Sequence, residues 1–280
     1  VHAHMVHANI FARLNRIFYP IPRLICTAHS NNEGGRLRML AYRLTNGLSE
    51  VLTNVSQGAS QHFEKLGAVK VGGIRTVYNG INLDAYSFNV ENSKLNENLF
   101  FTQDYLSFLS VGRFHEAKDY PNLLYAIALL RQKINQNIMF YIAGDGELRY
   151  QVENLIQNLQ LEDCVQLLGR RDDIPQLMNQ TDFFILSSKY EGFGLVVAEA
   201  MACGAFVIAT DCGGVGEVMG NTGILVSPEN SEALAQAIQQ AIALPVTDIV
   251  VNKEKARQRV EEKFSLESSV KTWLEIYEAK

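Results

Sequence analysis

The sequence predicts an α/β protein with a doubly wound parallel sheet. Three observations carry that expectation. Short apolar runs alternate with helical stretches through most of the 280 residues, the order that builds parallel sheets. The runs are near-continuous rather than alternating, as strands covered by helices on both faces require. Neighbouring runs end in glycine or charged turns, the places where open α/β sheets hold their ligands.

The elements follow in order. VHAHM at the start reads as a strand end, so the true N-terminus is expected to lie before Val1. PRLICTAHS is a strand ending at His29, RMLAYRLTNG a helix, VLTNVS a strand, GASQHFEKLG a helix and IRTVYNG a strand. These form an incomplete sheet layer over residues 1–87. Residues 88–104 belong to a polar, Asn-rich stretch that reads as an interdomain linker or long loop. Residues 105–262 make the complete doubly wound domain. Its strands are LSFLSVG, IMFYIAG, CVQLLG, DFFILSS, FVIAT and GILVS. Its helices begin near Pro121, Gly146, Ile174, Gly194 and Ser231. Pro121 suits a first helical turn, Ser231 an N-cap, and Gly204 a stop. Residues 263–280 form an amphipathic helix with Val270, Trp273, Leu274 and Tyr277 on one face, expected to dock back towards the N-terminal domain.

Composition narrows the function classes. Net charge is −5 and the pI about 5.7, and no recognition motif appears, so nucleic acid is disfavoured. Residues 1–100 carry ten Lys/Arg against six Asp/Glu, and six of those arginines lie between Arg13 and Arg43. A solvated basic face is one reading of them; an anionic substrate or membrane surface is the sharper one. No run approaches the ~18 apolar residues of a spanning helix. Cys26, Cys164, Cys203 and Cys212 form no CxxC pair and read as buried reduced thiols, which fits a reducing compartment. His2, His4 and His7 alternate, but no partner spacing supports a metal site.

The chemistry concentrates at strand ends. In SKYEGFGLVVAEAMACG, Glu191 follows a strand and Gly192 and Gly194 allow a sharp turn into a helix. The amides of Phe193, Gly194 and Leu195 then offer an anion site. Glu199, one to two turns on, suits a ribose diol. In VGRFHEAKDY, Gly112 ends a strand, and Arg113 and Lys118 can grip a diphosphate from two sides. Gly144 and Gly146 make a strand-to-helix turn, but Arg149 stands where a dinucleotide fingerprint needs its third glycine. Gly169 and Arg170 end the next strand. In DCGGVGEV the glycines favour a close backbone approach to a ligand, or simply a turn. His29 points from its strand end towards the cleft, or is structural.

These residues carry a resemblance. EGFGLVVAE looks like the EX7E motif of retaining glycosyltransferases with the GT-B fold, most similar to family 4 (group 1). VGRF…K, AGDGELR, LLGRRDDI and DCGGVGEVM fall in that family's order, as do TAHS, TNVS and VYNGIN. The resemblance implies two Rossmann-like domains, the N-terminal one incomplete here, and a hexosyltransferase acting in polysaccharide biosynthesis. It implies a nucleotide-diphosphate sugar as donor and a saccharide or lipid-linked acceptor, with no metal or other cofactor. Arg113 and Lys118 would bind the diphosphate and Glu199 the ribose. Glu191 and the backbone of Phe193, Gly194 and Leu195 would contact sugar and phosphates, Arg170 would lie by the base, and His29 near the sugar. Gly112, Gly144 and Gly192 complete the expected donor site; His29, Glu191, Arg113 and Lys118 form the expected catalytic group. The implied location is cytoplasmic, with peripheral contact at the inner membrane face as the sharper reading of the basic stretch. A non-catalytic nucleotide-sugar-binding fragment and a sugar-nucleotide epimerase of the same fold stand as alternatives.

Overall fold

The structure, a computed structural model, describes residues 1–30, 34–87, 105–134 and 136–279; the linker expected over 88–104 falls outside them. Two parallel sheets form two Rossmann-like domains. The first has four strands in sequence order: β1 (His2–His4), β2 (Ile25–Ala28), β3 (Val51–Asn54) and β4 (Arg75–Thr76). The second has six, in the order β10-β9-β8-β5-β6-β7. These are β5 (Leu106–Val111), β6 (Ile138–Ala143), β7 (Val165–Gly169), β8 (Phe183–Leu186), β9 (Phe206–Thr210) and β10 (Ile224–Val226). Order reverses between β5 and β8, so the strand ends Val111–Gly112 and Leu186–Ser188 flank the switch point where such sheets bind ligands.

The continuous apolar runs behave as read. Every residue of β8 and β9 is buried, because helices cover both faces. The cluster on one face contains Leu109, Phe184, Val197 and Met201; the other contains Phe108, Phe140, Leu124 and Ile238. All four cysteines are buried free thiols.

Three local expectations need correction. A helix not foreseen, α1 (Met5–Asn15), follows β1 directly. Its buried positions are Val6, Asn9 and Arg13, so its inward stripe is mostly polar and leaves no apolar period to read. Arg13 is fully buried, its guanidinium over the Tyr42 ring at 5.1 Å. The helices of the first domain continue with α2 (Arg36–Thr45) and α3 (Gln57–Lys65). The second domain contributes α4 (Tyr120–Arg131), α5 (Arg149–Asn158), α6 (Ile174–Gln180), α7 (Leu195–Ala202), α8 (Val215–Met219) and α9 (Ser231–Ala243). A further unforeseen helix, α10 (Val246–Lys263), buries only Ala256 and Val260, again too little for a stripe. The N-cap of α9 is Asn230, one residue before the expected Ser231; its side chain accepts the Ala233 N–H at 2.9 Å.

The last helix, α11 (Leu266–Glu278), lies against the first domain. Ile276 packs with Ile25 and Val77, and Ser269 Oγ donates to the Tyr78 carbonyl at 3.0 Å. Ile81 and Ser265 form a parallel bridge, flanked by Ile81 N–H to Phe264 O (2.7 Å) and Leu266 N–H to Ile81 O (2.9 Å). Among the described residues no single helix is long and apolar enough to cross a membrane.

Candidate active site at the interdomain cleft

The carboxyl ends of β2, β3, β5 and β8 meet across a cavity of about 500 Å³. Its lining comes from both domains: His29, Val55 and Asn79 on one side, and Gly112, Arg113, Lys118, Glu191, Gly192, Phe193, Gly194, Leu195 and Glu199 on the other, with Val111 and Val196. Of the residues singled out in the sequence, ten therefore share one crevice. Gly144 and Arg170 do not line it. Gly144 packs behind it: a Cβ there would sit 1.9 Å from the Gly112 carbonyl oxygen. Arg170 is exposed beyond the end of β7.

Helix α7 starts at the cleft. Gly194 caps it in the left-handed region (φ 91°), a conformation costly for any residue with a Cβ. The Val197 and Ala198 amides turn back to the Gly194 carbonyl, so the first-turn amides ahead of them, of Leu195 and Val196, belong to the helix's unsatisfied donors. They lie in the lining, at the positive end of the helix dipole.

Lys118 enters from a short 3₁₀ turn (Glu116–Lys118), and its Nζ donates to Glu191 Oε1 at 2.6 Å. Ser188 Oγ donates to the same oxygen at 2.8 Å. The pair is largely enclosed, the Lys118 and Glu191 side chains being 21% and 14% exposed. Arg113 is 70% exposed and donates to Glu147 Oε2 at 3.0 Å. The two cations thus line one cavity, but each already holds a carboxylate. Glu199 is half-buried; burial pushes its carboxyl above the usual range, only partly offset by the Tyr86 phenol that hydrogen-bonds it and by nearby Lys118. Burial, with Glu199 beside it, pushes the Tyr86 phenol up to about 12.

Glycines bring the domains together. A Cβ on Gly192 would stand 2.1 Å from the His29 carbonyl oxygen across the cleft. The close approach expected of the DCGGVGEV glycines is made to protein: a Cβ on Gly213 would fall 1.8 Å from Glu191 O, and one on Gly214 2.8 Å from Ser56 Cβ. In the same segment Glu217, on α8, reaches the first domain. Its carboxylate accepts the N–H groups of Gln57 (2.7 Å) and Gly58 at the start of α3, and the Tyr78 hydroxyl (3.2 Å).

Sequence reasoning missed Val55, Asn79, Ser188, Tyr86, Glu147 and Glu217. Ser188 and Glu147 stood inside the quoted motifs, each three residues from a candidate (Glu191 and Gly144), so short spacing was the available signal. Val55, Asn79 and Glu217 also lay inside quoted motifs (TNVS, VYNGIN and DCGGVGEV), but they and Tyr86 act across the fold, with partners distant in sequence that local spacing does not reveal. Among the described residues, no group of three or more His, Cys, Asp or Glu side chains is placed to hold a metal ion.

With this geometry in view, the likenesses to known proteins are informative. Residues 90–263 match the family described as glycosyl transferases group 1. An N-acetyl-alpha-D-glucosaminyl L-malate synthase of Bacillus anthracis is 32% identical over 82% of this chain and 59% of its own length. A Campylobacter jejuni N-acetylgalactosamine-N,N'-diacetylbacillosaminyl-diphospho-undecaprenol 4-alpha-N-acetylgalactosaminyltransferase is 27% identical over 82% and 63%. The crystal structure of Anabaena HepE with UDP-glucose superposes with a TM-score of 0.86 at 25% identity, covering 99% of this chain and 78% of that one. A Rickettsia africae glycosyltransferase gives 0.80 at 26%, over 95% and 72%. The chain spans between about half and three fifths of the length of the curated relatives it matches.

Proposed function

The chain belongs to the glycosyl transferases group 1 family, and from that premise we propose that it is the donor-binding and catalytic part of a retaining hexosyltransferase. The donor is a nucleotide-diphosphate sugar, and the likeness to HepE, solved with UDP-glucose, favours a uridine nucleotide. The observation that carries the reading is the single crevice in which a helix N-terminus, two cations and a half-buried carboxylate converge.

The roles follow from chemistry. The first-turn amides of α7 and the Lys118 ammonium receive the diphosphate, and Arg113 closes on it from the rim. Glu199 accepts the two ribose hydroxyls. Glu191, fixed by Lys118 and Ser188, holds the sugar with His29 opposite. In the transfer the bond from the anomeric carbon to the phosphate oxygen breaks while a bond to the acceptor oxygen forms on the same face. The acceptor's proton passes to the departing phosphate. Lys118 and the helix dipole stabilise the charge that gathers there, as preorganised donors do in other transfer enzymes. These fixed positive groups cover the role a divalent ion would otherwise fill.

A lipid-linked or saccharide acceptor is supported by the relative named for a diphospho-undecaprenol acceptor. The first domain also exposes Phe11, Ile17, Phe18, Leu37 and Leu44 beside the exposed Arg36 and Arg43. That surface suits peripheral contact with an anionic bilayer from the cytoplasmic side, which vesicle sedimentation at low salt measures. The main test is a thermal-shift and calorimetry screen of UDP-, GDP- and ADP-sugars, followed by product analysis. Ligand at about 100 times its Kd adds about 2.7 kcal/mol to stability. No shift with any donor, or the same shift in E199A, refutes the reading; conversion of donor without an acceptor redirects it to an epimerase.

A further inference from the structure

The chain leaves the first domain after β4, and the segment that crosses to the second is pinned along its length. Ile81 bridges Ser265 at the start of the last helix. Asn82 then closes a tight turn. Its Oδ1 accepts the N–H groups of Asp84 (3.0 Å) and Ala85 (3.3 Å), and its carbonyl accepts the Tyr86 N–H (3.0 Å). Asn179, on α6, donates its side-chain amide to Ser87 O at 2.9 Å. The turn packs Leu83 and Tyr86 against the core cluster that contains Val197, Met201 and Cys203. Held in this way, Tyr86 hydrogen-bonds its phenol to the Glu199 carboxylate. Glu199 lines the crevice and Tyr86 does not. The phenol therefore reaches the carboxylate from the protein side and takes none of the space a ligand would fill.

We infer that Tyr86 is a positioning residue for Glu199: held by the crossing segment, its phenol fixes the carboxylate from the protein side and leaves the remaining lone pairs to a nucleoside diol. The diol part of this statement rests on the transferase reading; the contact between Tyr86 and Glu199 does not. Lone-pair counting makes phenol and diol compatible. An ionised carboxylate offers about four acceptor sites on its two oxygens. Tyr86 takes one and two ribose hydroxyls take two, so nothing has to be displaced. A glutamate side chain left free must be ordered at each binding event, at a cost in rotamer entropy; the phenol orders it beforehand. The contact also bears on charge. Burial favours the neutral carboxyl, whereas the Tyr86 phenol and the Lys118 ammonium favour the carboxylate. Cys203, four residues on, also faces Glu199; burial, with Glu199 second, pushes its thiol up to about 12, so it carries no charge at neutral pH. Tyr86 is likewise a neutral donor there. A phenylalanine would fill nearly the same volume and lack that donor.

The test is Y86F in the full chain, which keeps the ring and its packing and removes only the hydroxyl; thermal unfolding checks that the fold is kept. The first measurement needs no ligand. With ¹³C-labelled glutamate side chains, the Glu199 carboxyl signal is assigned by its loss in E199Q and followed through a pH titration. Removing a hydrogen bond to the charged form favours the neutral one, so the Glu199 midpoint is expected to move to higher pH in Y86F. A midpoint that stays or falls overturns the inference. The second measurement is calorimetry at about pH 8 with UDP-, GDP- and ADP-glucose. For the nucleotide sugar that binds, Y86F is expected to raise Kd about two- to tenfold, the worth of one hydrogen bond. In the E199Q background the same substitution is expected to change Kd by less than about twofold, because Tyr86 acts through the carboxylate. Equal losses in both backgrounds reduce Tyr86 to packing and overturn the positioning role. A chain whose Glu199 midpoint responds to Y86F but which binds none of the three nucleotide sugars instead refutes the transferase reading alone.

Discussion

Replacing Glu217 by glutamine tests whether the two domains are held together by one carboxylate. That carboxylate accepts the Gln57 and Gly58 amides and the Tyr78 hydroxyl, all from the other domain. Glutamine keeps the size but offers only one acceptor oxygen; its NH₂ group would face the second amide. Hydrogen bonds to a charged acceptor contribute about 1.5–3 kcal/mol each. The Gln57 bond is solvent-exposed, so the lower figure applies; the two amide bonds together stabilise by roughly 3 kcal/mol, most of which is lost when the retained acceptor is uncharged and the NH₂ group faces the second amide. At 1.36 kcal/mol per factor of ten, that is on the order of a hundredfold in the opening equilibrium. The assay is native-state amide exchange. Gln57 and Gly58 should exchange roughly a hundredfold faster in E217Q. The Ala59 and Ser60 amides are internal controls, because they bond to Ser56 Oγ and Ser56 O within the first domain. The reasoning fails if Gln57 and Gly58 are unmoved, or if all four amides accelerate equally, which would signal general loosening.

Other outcomes follow from the same geometry. In E191Q, Lys118 loses its anion while Ser188 keeps an acceptor; donor turnover should fall by at least about a hundredfold, with correct folding checked by circular dichroism. G192A needs about 1.3 Å of separation at the His29 carbonyl, since 2.1 Å must relax to the 3.4 Å of ordinary contact; calorimetry should show donor affinity reduced more than tenfold, against an overpacking cost of about 1–3 kcal/mol in thermal unfolding. E199Q should lose donor affinity yet melt no lower than the parent at pH 8. Burial raises the folded-state pKa of Glu199, so the native chain holds more protons than the unfolded one above the ordinary glutamate value, and stability declines as pH rises through that window. Melting curves from pH 4 to 8 should therefore have a shallower decline in E199Q.

The second domain was legible because its strands are buried on both faces. FVIAT and DFFIL can be nothing but covered strands, and glycine and proline mark where the chain turns. The first domain was less legible for a physical reason: α1 turns Asn9 and Arg13 inward, using a cation over Tyr42 in place of an aliphatic stripe. Helix α10 hides for the opposite reason, burying too little to leave a period. At the cleft, strand-end position located ten lining residues, because a parallel sheet delivers every carboxyl end to one edge. It could not supply the partners. Nothing local in GGVGEV tells that Glu217 caps a helix of the other domain, or that Tyr86 reaches Glu199.

The pairing of the cations changes how the cleft works. Two cations and two carboxylates line it, so an arriving diphosphate does not meet a bare positive groove. The two ion pairs are unequal. Arg113 and Glu147 are 70% and 47% exposed, and such surface pairs stabilise by about 1 kcal/mol or less; under the proposed function a diphosphate at the rim would compete readily with Glu147 for Arg113. Lys118 and Glu191 are enclosed at 2.6 Å, where separation would strand a charge. Separation is unnecessary, because an ammonium has three donors and Glu191 takes one. Under the proposed function, Lys118 would therefore hold the sugar-side carboxylate and the phosphate together and so couple the position of the sugar to that of its leaving group. The enclosed pair is then the part of the proposed site that substrate need not break, and the exposed pair the part it can displace.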